Sequence, residues 1–357
     1  MELPDADLKT DTAGKRQHFQ KDFFYRLVSC HNNQGKKWMK NIKKDIEQLE
    51  IAAELLDKNS PTGARLSLFL LDNLAELLMY NSVRMEFAWD DQFASVRPPK
   101  CSANKRRKIM DYFNDKVNFL VEEKKLDYDQ EQVLKLGHRL RNEAYHNGVL
   151  REYIIIPITR AYLQTVCELL PTLWIGSYSY TNHNEVKDFL KKYDKNFGDI
   201  DHDSLRQICQ TILKGRECEV SQLSVAVSDD LINRVEETIE GLKYLSSNGQ
   251  KKSPDEILKW MQFREETDIE FGVVKSDEEF RELWKKVEQA LSVFRPKVTL
   301  RTLESWKRKA ERIKLEASLG VILAKFQEID QPFLKIENFV SEAVFEYDEY
   351  INSQIHG

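Results

Sequence analysis

The residues best suited to catalysis lie in one short stretch, residues 140–148, which contains Arg141, Asn142 and His146. Histidine titrates near neutral pH and therefore suits proton transfer. Arginine stays charged and can hold two phosphate oxygens at once. Asn142 adds a polar group directly after the arginine. Together, these residue types predict proton transfer beside a phosphate group.

Helical spacing leaves two arginines as candidates for the phosphate contact. Arg139 and His146 are seven positions apart, which returns them to the same face of a helix. Arg141 and His146 are five positions apart and differ by about 140° on an ideal helix. Asn142 lies four positions before His146 and shares its face. We therefore expect one surface to present Arg139, Asn142 and His146, with Arg141 reaching in from the side.

Apolar periodicity predicts that helices position this stretch. Apolar residues recur at steps of three and four along most of residues 36–175, which is typical of helices with one buried face. The predicted helices span residues 36–59, 64–89, 105–124, 129–146 and 150–175. The stretch 140–148 therefore closes the fourth helix. The fifth segment is apolar nearly all round, which predicts either a central helix or a subunit contact.

The stretch 140–148 resembles the signature of the HEPN superfamily, all-helical domains whose catalytic members are metal-independent ribonucleases. That signature is an arginine, a polar residue directly after it, and a histidine after four to six intervening residues. Arg141, Asn142 and His146 match it at the end of a late helix, where the family places it. The resemblance covers about residues 36–175. It implies that these three residues are catalytic, and it favours Arg141 over Arg139.

The resemblance also implies an acidic or polar position on an earlier helix, facing the motif. The second predicted helix carries Asp72 and Glu76, which are the candidates. Cleaving RNA without a metal needs a base for the 2′-hydroxyl proton, a cation on the phosphate and an acid for the leaving 5′-oxygen. One histidine cannot easily be both base and acid in one step. Family members solve this by dimerising, so that two motifs face a shared cleft.

The 357-residue chain is predicted to be all-α. It is 41% hydrophobic, which is enough for a core, and it contains only 13 Gly and 9 Pro. Sandwiches, barrels and doubly wound α/β folds need many tight turns, so this composition favours helices. Residues 1–35 are predicted to form an N-terminal helix or extension, residues 36–176 a HEPN-like up-down helical bundle, and residues 177–357 a second helical domain of unknown role. In that second domain, the predicted helices include 202–213, 228–246, 254–266, 276–295, 298–328 and 332–353.

Several function classes lose their support from the sequence. The chain lacks the glycine-rich phosphate loops, the nucleophile elbow and the zinc-peptidase motif, which removes the usual signals for NTPases, dinucleotide enzymes, serine hydrolases and zinc peptidases. The five cysteines are widely spaced, so we expect free thiols and neither a disulfide framework nor a zinc site. We expect no cofactor. No run of 18 apolar residues exists, so we expect no membrane segment and a cytoplasmic protein.

The net charge of −5 excludes a uniformly basic surface but leaves local basic clusters. One such cluster, a candidate for RNA binding, consists of Lys105, Arg106, Arg107 and Lys108. A second runs over residues 297–314, with seven basic and two acidic residues. This second cluster either holds RNA through phosphates or forms a solvated helix face that pairs with the acidic segment 254–282.

Two hypotheses for function follow. The first is a metal-independent endoribonuclease that cleaves RNA by 2′-hydroxyl attack, which the resemblance associates with toxins and anti-phage defence effectors. Its expected partners are RNA, a second copy of the chain, and a protein antitoxin or regulator bound through the C-terminal domain. The alternative is a non-catalytic HEPN module that binds a nucleotide or a protein. A contact of Asp72 or Glu76 with Arg141, and motif residues that are open to a cleft, would favour the first.

Overall fold

The structure of the chain is a computed structural model. The structure describes residues 32–93, 98–146, 151–174, 178–179, 189–193, 199–200, 202–250, 252–267 and 276–356. This part of the chain is all-α, as predicted. Its strands, β1 (Tyr178–Ser179) and β2 (Asp199–Ile200), have two residues each and pair antiparallel. None of its helices is long and apolar enough to cross a lipid bilayer.

The chain divides into two compact units, which are described separately. The first unit comprises residues 1–127, 137–148 and 159–217. Its helices are α1 (Asn32–Asp57), α2 (Pro61–Gln92), α3 (Ala103–Asp111), α4 (Phe113–Glu122), most of α5 (Tyr128–His146) and α6 (Glu152–Leu173), and α7 (His202–Leu213). Helix α2 packs against α1, α3 and α4, and α7 packs against α1. The predicted extension 1–35 lies mostly outside the described residues, and α1 already begins at Asn32.

The second unit comprises residues 128–136, 149–158 and 218–357. Its helices are the first turns of α5 and α6, then α8 (Val220–Leu245), a π-helical turn (Ser246–Gln250), α9 (Pro254–Glu266), α10 (Asp277–Val293), α11 (Leu300–Ile313) and α12 (Leu319–His356). Helix α8 packs against α9, α11 and α12. This division groups α7 with the first unit, whereas the sequence boundary at 176/177 groups it with the C-terminal half. Periodicity locates helices but does not say which helices they pack against.

Helix α2 has a well-defined start, which fixes the helix that carries Asp72. Ser60 adopts an extended backbone and its side chain accepts a hydrogen bond from the Gly63 backbone N–H at 3.1 Å, while Pro61 occupies the first turn. A Cβ on Gly63 would lie 2.5 Å from the Leu55 carbonyl oxygen. Glycine therefore permits the close approach of the end of α1 to the start of α2.

Helix α6 is a core helix. Its buried residues include Ile154, Ile158, Tyr162, Leu163 and Val166. Of the two expectations for this apolar segment, the central helix is therefore confirmed. The apolar composition of α6 does not require a subunit contact, because its apolar face is already buried within the chain.

Three predicted helix boundaries are clearly wrong. The helix predicted at 228–246 begins eight residues earlier, because α8 starts at Val220. The predicted helix 105–124 is interrupted at Tyr112, whose extended backbone separates α3 from α4. The predicted break between 298–328 and 332–353 lies instead before Leu319, and Pro332 is inside α12. Pro332 is exposed, whereas Asp330 and Phe333 beside it are fully buried. Burial of these neighbours holds the helix together where the proline removes one backbone hydrogen bond.

The described cysteines Cys101, Cys167, Cys209 and Cys218 are free thiols, as expected. Cys167 and Cys209 are both buried. The hydrogen bond between the Cys167 thiol and the Cys209 sulfur, followed by burial, raises the pKa of Cys167 well above its usual value.

Asp45 on α1 should make the protein less stable at neutral pH than at mildly acidic pH. Burial raises the pKa of its carboxyl to about 6, and the charge of Lys44 offsets part of that effect. The carboxyl is harder to ionise in the folded state than in the unfolded state. The free energy of unfolding is therefore highest below about pH 4, where the carboxyl is protonated in both states, and it falls as the pH rises through 6. We expect Asp45→Asn to stabilise the protein by on the order of 2 kcal/mol at pH 7 and to have no effect near pH 4.

Urea unfolding at pH 7 and pH 4 measures this difference. Glu47→Gln is the control, because Glu47 forms an exposed ion pair with Lys43 at 3.6 Å and should change stability little at either pH. Equal stabilities of wild type and Asp45→Asn at pH 7 would show that the carboxyl is not destabilised by burial.

Candidate functional site

Asp72 is the buried centre of a polar cluster in the first unit. It is 1% exposed on α2. The Tyr162 hydroxyl, on α6, donates a hydrogen bond to its Oδ1 at 2.8 Å. The Nδ1 nitrogen of His138, on α5, lies 3.1 and 3.0 Å from the two carboxylate oxygens. A buried carboxylate needs such donors, because an unpaired one would lose its hydration without compensation.

Arg141 completes this cluster. Its Nε lies 3.6 Å from Oδ2 of Asp72, and its Nη1 donates a hydrogen bond to Oδ1 of Asn142 at 2.8 Å. The Arg141 side chain is 34% exposed. The guanidinium is therefore held on one side by Asp72 and Asn142 and open to solvent on the other. The expected contact between the motif arginine and an acid on the second helix is present, and Asp72 makes it.

His138 and Tyr162 belong to this cluster but are absent from the sequence-based candidates. His138 precedes Arg141 by three positions and Asn142 by four, so these side chains share one helix face. That spacing is the signal that could have indicated His138. Tyr162 gives no such signal, because its contact with Asp72 joins residues 90 positions apart.

Close packing fixes both partners of Asp72. A Cβ on Gly137 would lie 2.2 Å from the Tyr162 ring, so only glycine lets α5 approach this ring so closely. Phe113 is the first residue after the interruption at Tyr112. Its ring stacks on the His138 ring, with 3.8 Å between centroids. Burial, followed by the charge and hydrogen bond of Asp72, raises the pKa of Tyr162 well above its usual value. Tyr162 therefore stays protonated and acts as a donor.

The face of α5 that meets Asp72 differs from the expected one. His138, Arg141, Asn142 and Tyr145 lie along it, since the guanidinium of Arg141 also lies 5.5 Å from the Tyr145 ring. Arg139 lies 3.7 Å from Glu143 on the same helix. The surface expected from spacing, with Arg139, Asn142 and His146, is therefore not the one that meets Asp72. Spacing along an isolated helix cannot select the face, which is chosen here by packing of α5 against α2 and α6.

His146 is the last residue of α5 and is exposed. Its ring lies edge-on to the Tyr145 ring, with 5.0 Å between centroids. Because Tyr145 also contacts Arg141, the histidine and arginine of the motif flank one aromatic ring. Both side chains are accessible to a ligand from solvent.

Glu76 does not contact Arg141, so this candidate is wrong as its partner. Its carboxylate lies 3.3 Å from the Lys116 ammonium on α4. Lys116 is 2% exposed and also donates a hydrogen bond to the Met110 carbonyl at 3.0 Å. A buried ammonium requires such partners, which gives Glu76 a structural role.

The four basic residues of the 105–108 cluster do not act as a set. Arg106 is an anchor: it forms ion pairs with Asp90 at 2.5 Å and with Asp91, and its guanidinium lies over the Phe87 ring. Arg107 is exposed. Lys105 and Lys108 are also exposed and lie 3.7 Å from Glu122 and 3.6 Å from Asp115, respectively. The charge of Arg106 is therefore paired within the chain, and the RNA-binding role of the cluster stays a prediction.

In the second unit, lysines of the 297–314 cluster pair with acids. Lys297 pairs with Glu266, Lys307 with Glu236, Lys309 with Glu328 and Lys314 with Asp229. Most of these side chains are partly exposed, so each pair contributes little to stability. The solvated, paired helix face is therefore the better description of this cluster, and only Lys297 finds its acid in the segment 254–282.

No cluster of three or more histidine, cysteine or carboxylate side chains in the described ranges has the geometry of a metal site. Comparisons of the chain with models of protein families, with curated proteins and with solved structures find no match. The function must therefore be inferred from the site itself.

Proposed function

We propose that the protein is a metal-independent endoribonuclease whose site is formed by Arg141, Asn142 and His146. The observation that carries this proposal is the contact of Arg141 with buried Asp72, beside an exposed His146 at the end of the same helix. The resemblance to HEPN ribonucleases implied this arrangement from three residues of sequence. The ion pair between Arg141 and Asp72 supports the proposal beyond the spacing alone.

The cluster prepares Arg141 for a phosphate. Asn142 accepts a hydrogen bond from the guanidinium and Asp72 attracts it at 3.6 Å, so the side chain is restrained before an anion binds. Asp72 itself is buried and acts by positioning Arg141, together with His138 and Tyr162. The exposed part of the guanidinium then neutralises charge that builds on the phosphate during cleavage.

Proton transfer falls to His146. One imidazole takes the proton from the 2′-hydroxyl as this oxygen attacks phosphorus, and a protonated group supplies a proton to the departing 5′-oxygen. The products are a 2′,3′-cyclic phosphate and a 5′-hydroxyl. A homodimer in which two sites face one another would provide both histidines. A setting as a toxin or anti-phage effector, with a protein antitoxin or regulator on the second unit, belongs to the same proposal.

RNA cleavage in EDTA tests this proposal. We expect the purified protein to cleave RNA in the presence of EDTA, and His146→Ala to lower the rate by about 10²-fold or more. His356→Ala is the control, because His356 is also the last residue of a helix, α12. It should leave the rate unchanged.

Three outcomes would contradict the proposal. Unchanged cleavage by His146→Ala would exclude this histidine, and loss of cleavage in EDTA would exclude a metal-independent reaction. If the wild-type protein cleaves no RNA across single-stranded and structured substrates, the non-catalytic binding module becomes the better description.

A further inference from the structure

An aromatic and cationic surface surrounds the end of α5. The Tyr145 ring lies edge-on to the Phe69 ring, with 6.2 Å between centroids. The guanidiniums of Arg65 and Arg141 both lie within 6 Å of the Phe69 ring. The His146 ring contacts this group through the Tyr145 ring. Two aromatic rings and two permanent positive charges therefore lie beside the proposed catalytic histidine.

Tyr145 is 65% exposed in spite of its ring contacts. A tyrosine that serves only to fill a core is buried, as Tyr162 is in the same unit. Exposing a large aromatic ring gives up the free energy of burying it, and such rings often serve in recognition. The neighbouring cations favour an anionic ligand that also offers a flat face.

Arg65 is preorganised in a similar way to Arg141. Its Nη2 donates a hydrogen bond to the Ala144 carbonyl at 2.9 Å, in the last turn of α5. This hydrogen bond holds the Arg65 guanidinium next to Ala144, the residue before Tyr145. Arg65 and Arg141 thus present two charges at one aromatic group, formed by Phe69 and Tyr145, which suits two successive phosphates and a base beside them.

We propose that Tyr145 stacks on one unpaired nucleobase beside the scissile phosphate, and that Arg65 holds the neighbouring phosphate. The substrate class is then single-stranded RNA, including loops and ends. In a duplex, both faces of each base are covered by its neighbours, so a protein ring can stack only on an unpaired or splayed base. This inference rests on the proposed ribonuclease function, and it assigns that site its specificity.

Binding of RNA that cannot be cleaved tests this inference separately from catalysis. The probe is a fluorescent 12-nucleotide RNA in which every 2′-oxygen is methylated, so that it lacks the attacking hydroxyl. Its affinity is measured by anisotropy, as a single strand and as a duplex with its complement. We expect Tyr145→Ala to weaken single-strand binding about tenfold. Tyr145→Phe should bind as the wild type does, because the ring is kept.

Two further variants sharpen the test. Tyr153→Ala removes an exposed tyrosine from α6 and should leave the affinity unchanged. Arg65→Gln should reduce the slope of log affinity against log salt by roughly 0.7, the effect of one phosphate contact in a single strand. Thermal unfolding checks that each variant is folded.

The inference is overturned if Tyr145→Ala binds the single strand as tightly as the wild type does, if the duplex binds as well as the single strand, or if the wild type binds neither. Failure of the ribonuclease proposal gives a different result, namely tight Tyr145-dependent binding of the methylated strand without cleavage of unmodified RNA.

Discussion

From the proposed ribonuclease function, we expect that replacing Arg141 reduces RNA cleavage more than any other single change on α5 apart from His146. We expect Arg141→Ala to lower the rate by about 10² to 10³, the usual effect of removing one donor that stabilises charge in a transition state. Arg141→Lys keeps the charge but loses the planar fork held between Asp72 and Asn142. It should still lower the rate by about tenfold or more.

The matched control is Arg139→Lys, which makes the same chemical change two positions earlier. Arg139 pairs with Glu143 one turn along the same helix, and Arg139→Lys keeps the charge for this pair, so we expect cleavage within about twofold of the wild type. Rates are measured on one labelled RNA, with circular dichroism as the check on folding. If Arg139→Lys is the inactive variant and Arg141→Lys is active, the assignment of the phosphate ligand is wrong.

Replacing Asp330 will destabilise the second unit strongly. Its Oδ1 accepts hydrogen bonds from Arg151 at 2.5 Å and from Arg234 at 2.7 Å, and the carboxylate is fully buried. Arg234 also binds Glu337 through two nitrogens and lies near Asp230. Despite burial, these carboxylates raise the pKa of Arg234. Removing the shared acid leaves two cations with too little compensation.

We therefore expect Asp330→Asn to lower the free energy of unfolding by about 3–5 kcal/mol, as measured by urea unfolding. Glu328→Gln is the matched control on the same helix. Glu328 forms an exposed pair with Lys309 at 3.3 Å, so its loss should change stability by about 1 kcal/mol or less. Similar stabilities of the two variants would mean that the buried network contributes no more than a surface pair.

The sequence predicted most helices of the described chain because each has an apolar face with a clear period. It placed α7 at His202–Leu213 and α9 at Pro254–Glu266 correctly. It failed where tertiary packing overrides a local signal. Tyr112 interrupts a continuous helical pattern, and Phe113, just after this break, packs on His138. Pro332 fails to interrupt α12 because the residues around it are buried.

The candidate site was predictable only in part, because spacing selects residues on a helix but not the face that packs. Spacing and resemblance selected Arg141, Asn142 and Asp72, which the structure brings together. They could not decide between the faces of α5, so Arg139 remained a candidate and His138 was missed. Glu76 and Asp72 lie one turn apart on α2, and only the packing of Lys116 beside Glu76 separates their roles.

The chemical ends of the RNA products test the central claim most directly. An RNA cleaved by the wild-type protein in EDTA would be analysed by mass spectrometry, beside the same RNA with a single 2′-deoxynucleotide at the cleavage site. Attack by the 2′-hydroxyl predicts a 2′,3′-cyclic phosphate on one fragment, a 5′-hydroxyl on the other, and no cleavage at the deoxynucleotide. Fragments with a 3′-hydroxyl and a 5′-phosphate, or cleavage at the deoxynucleotide, would contradict the mechanism that we assign to Arg141 and His146.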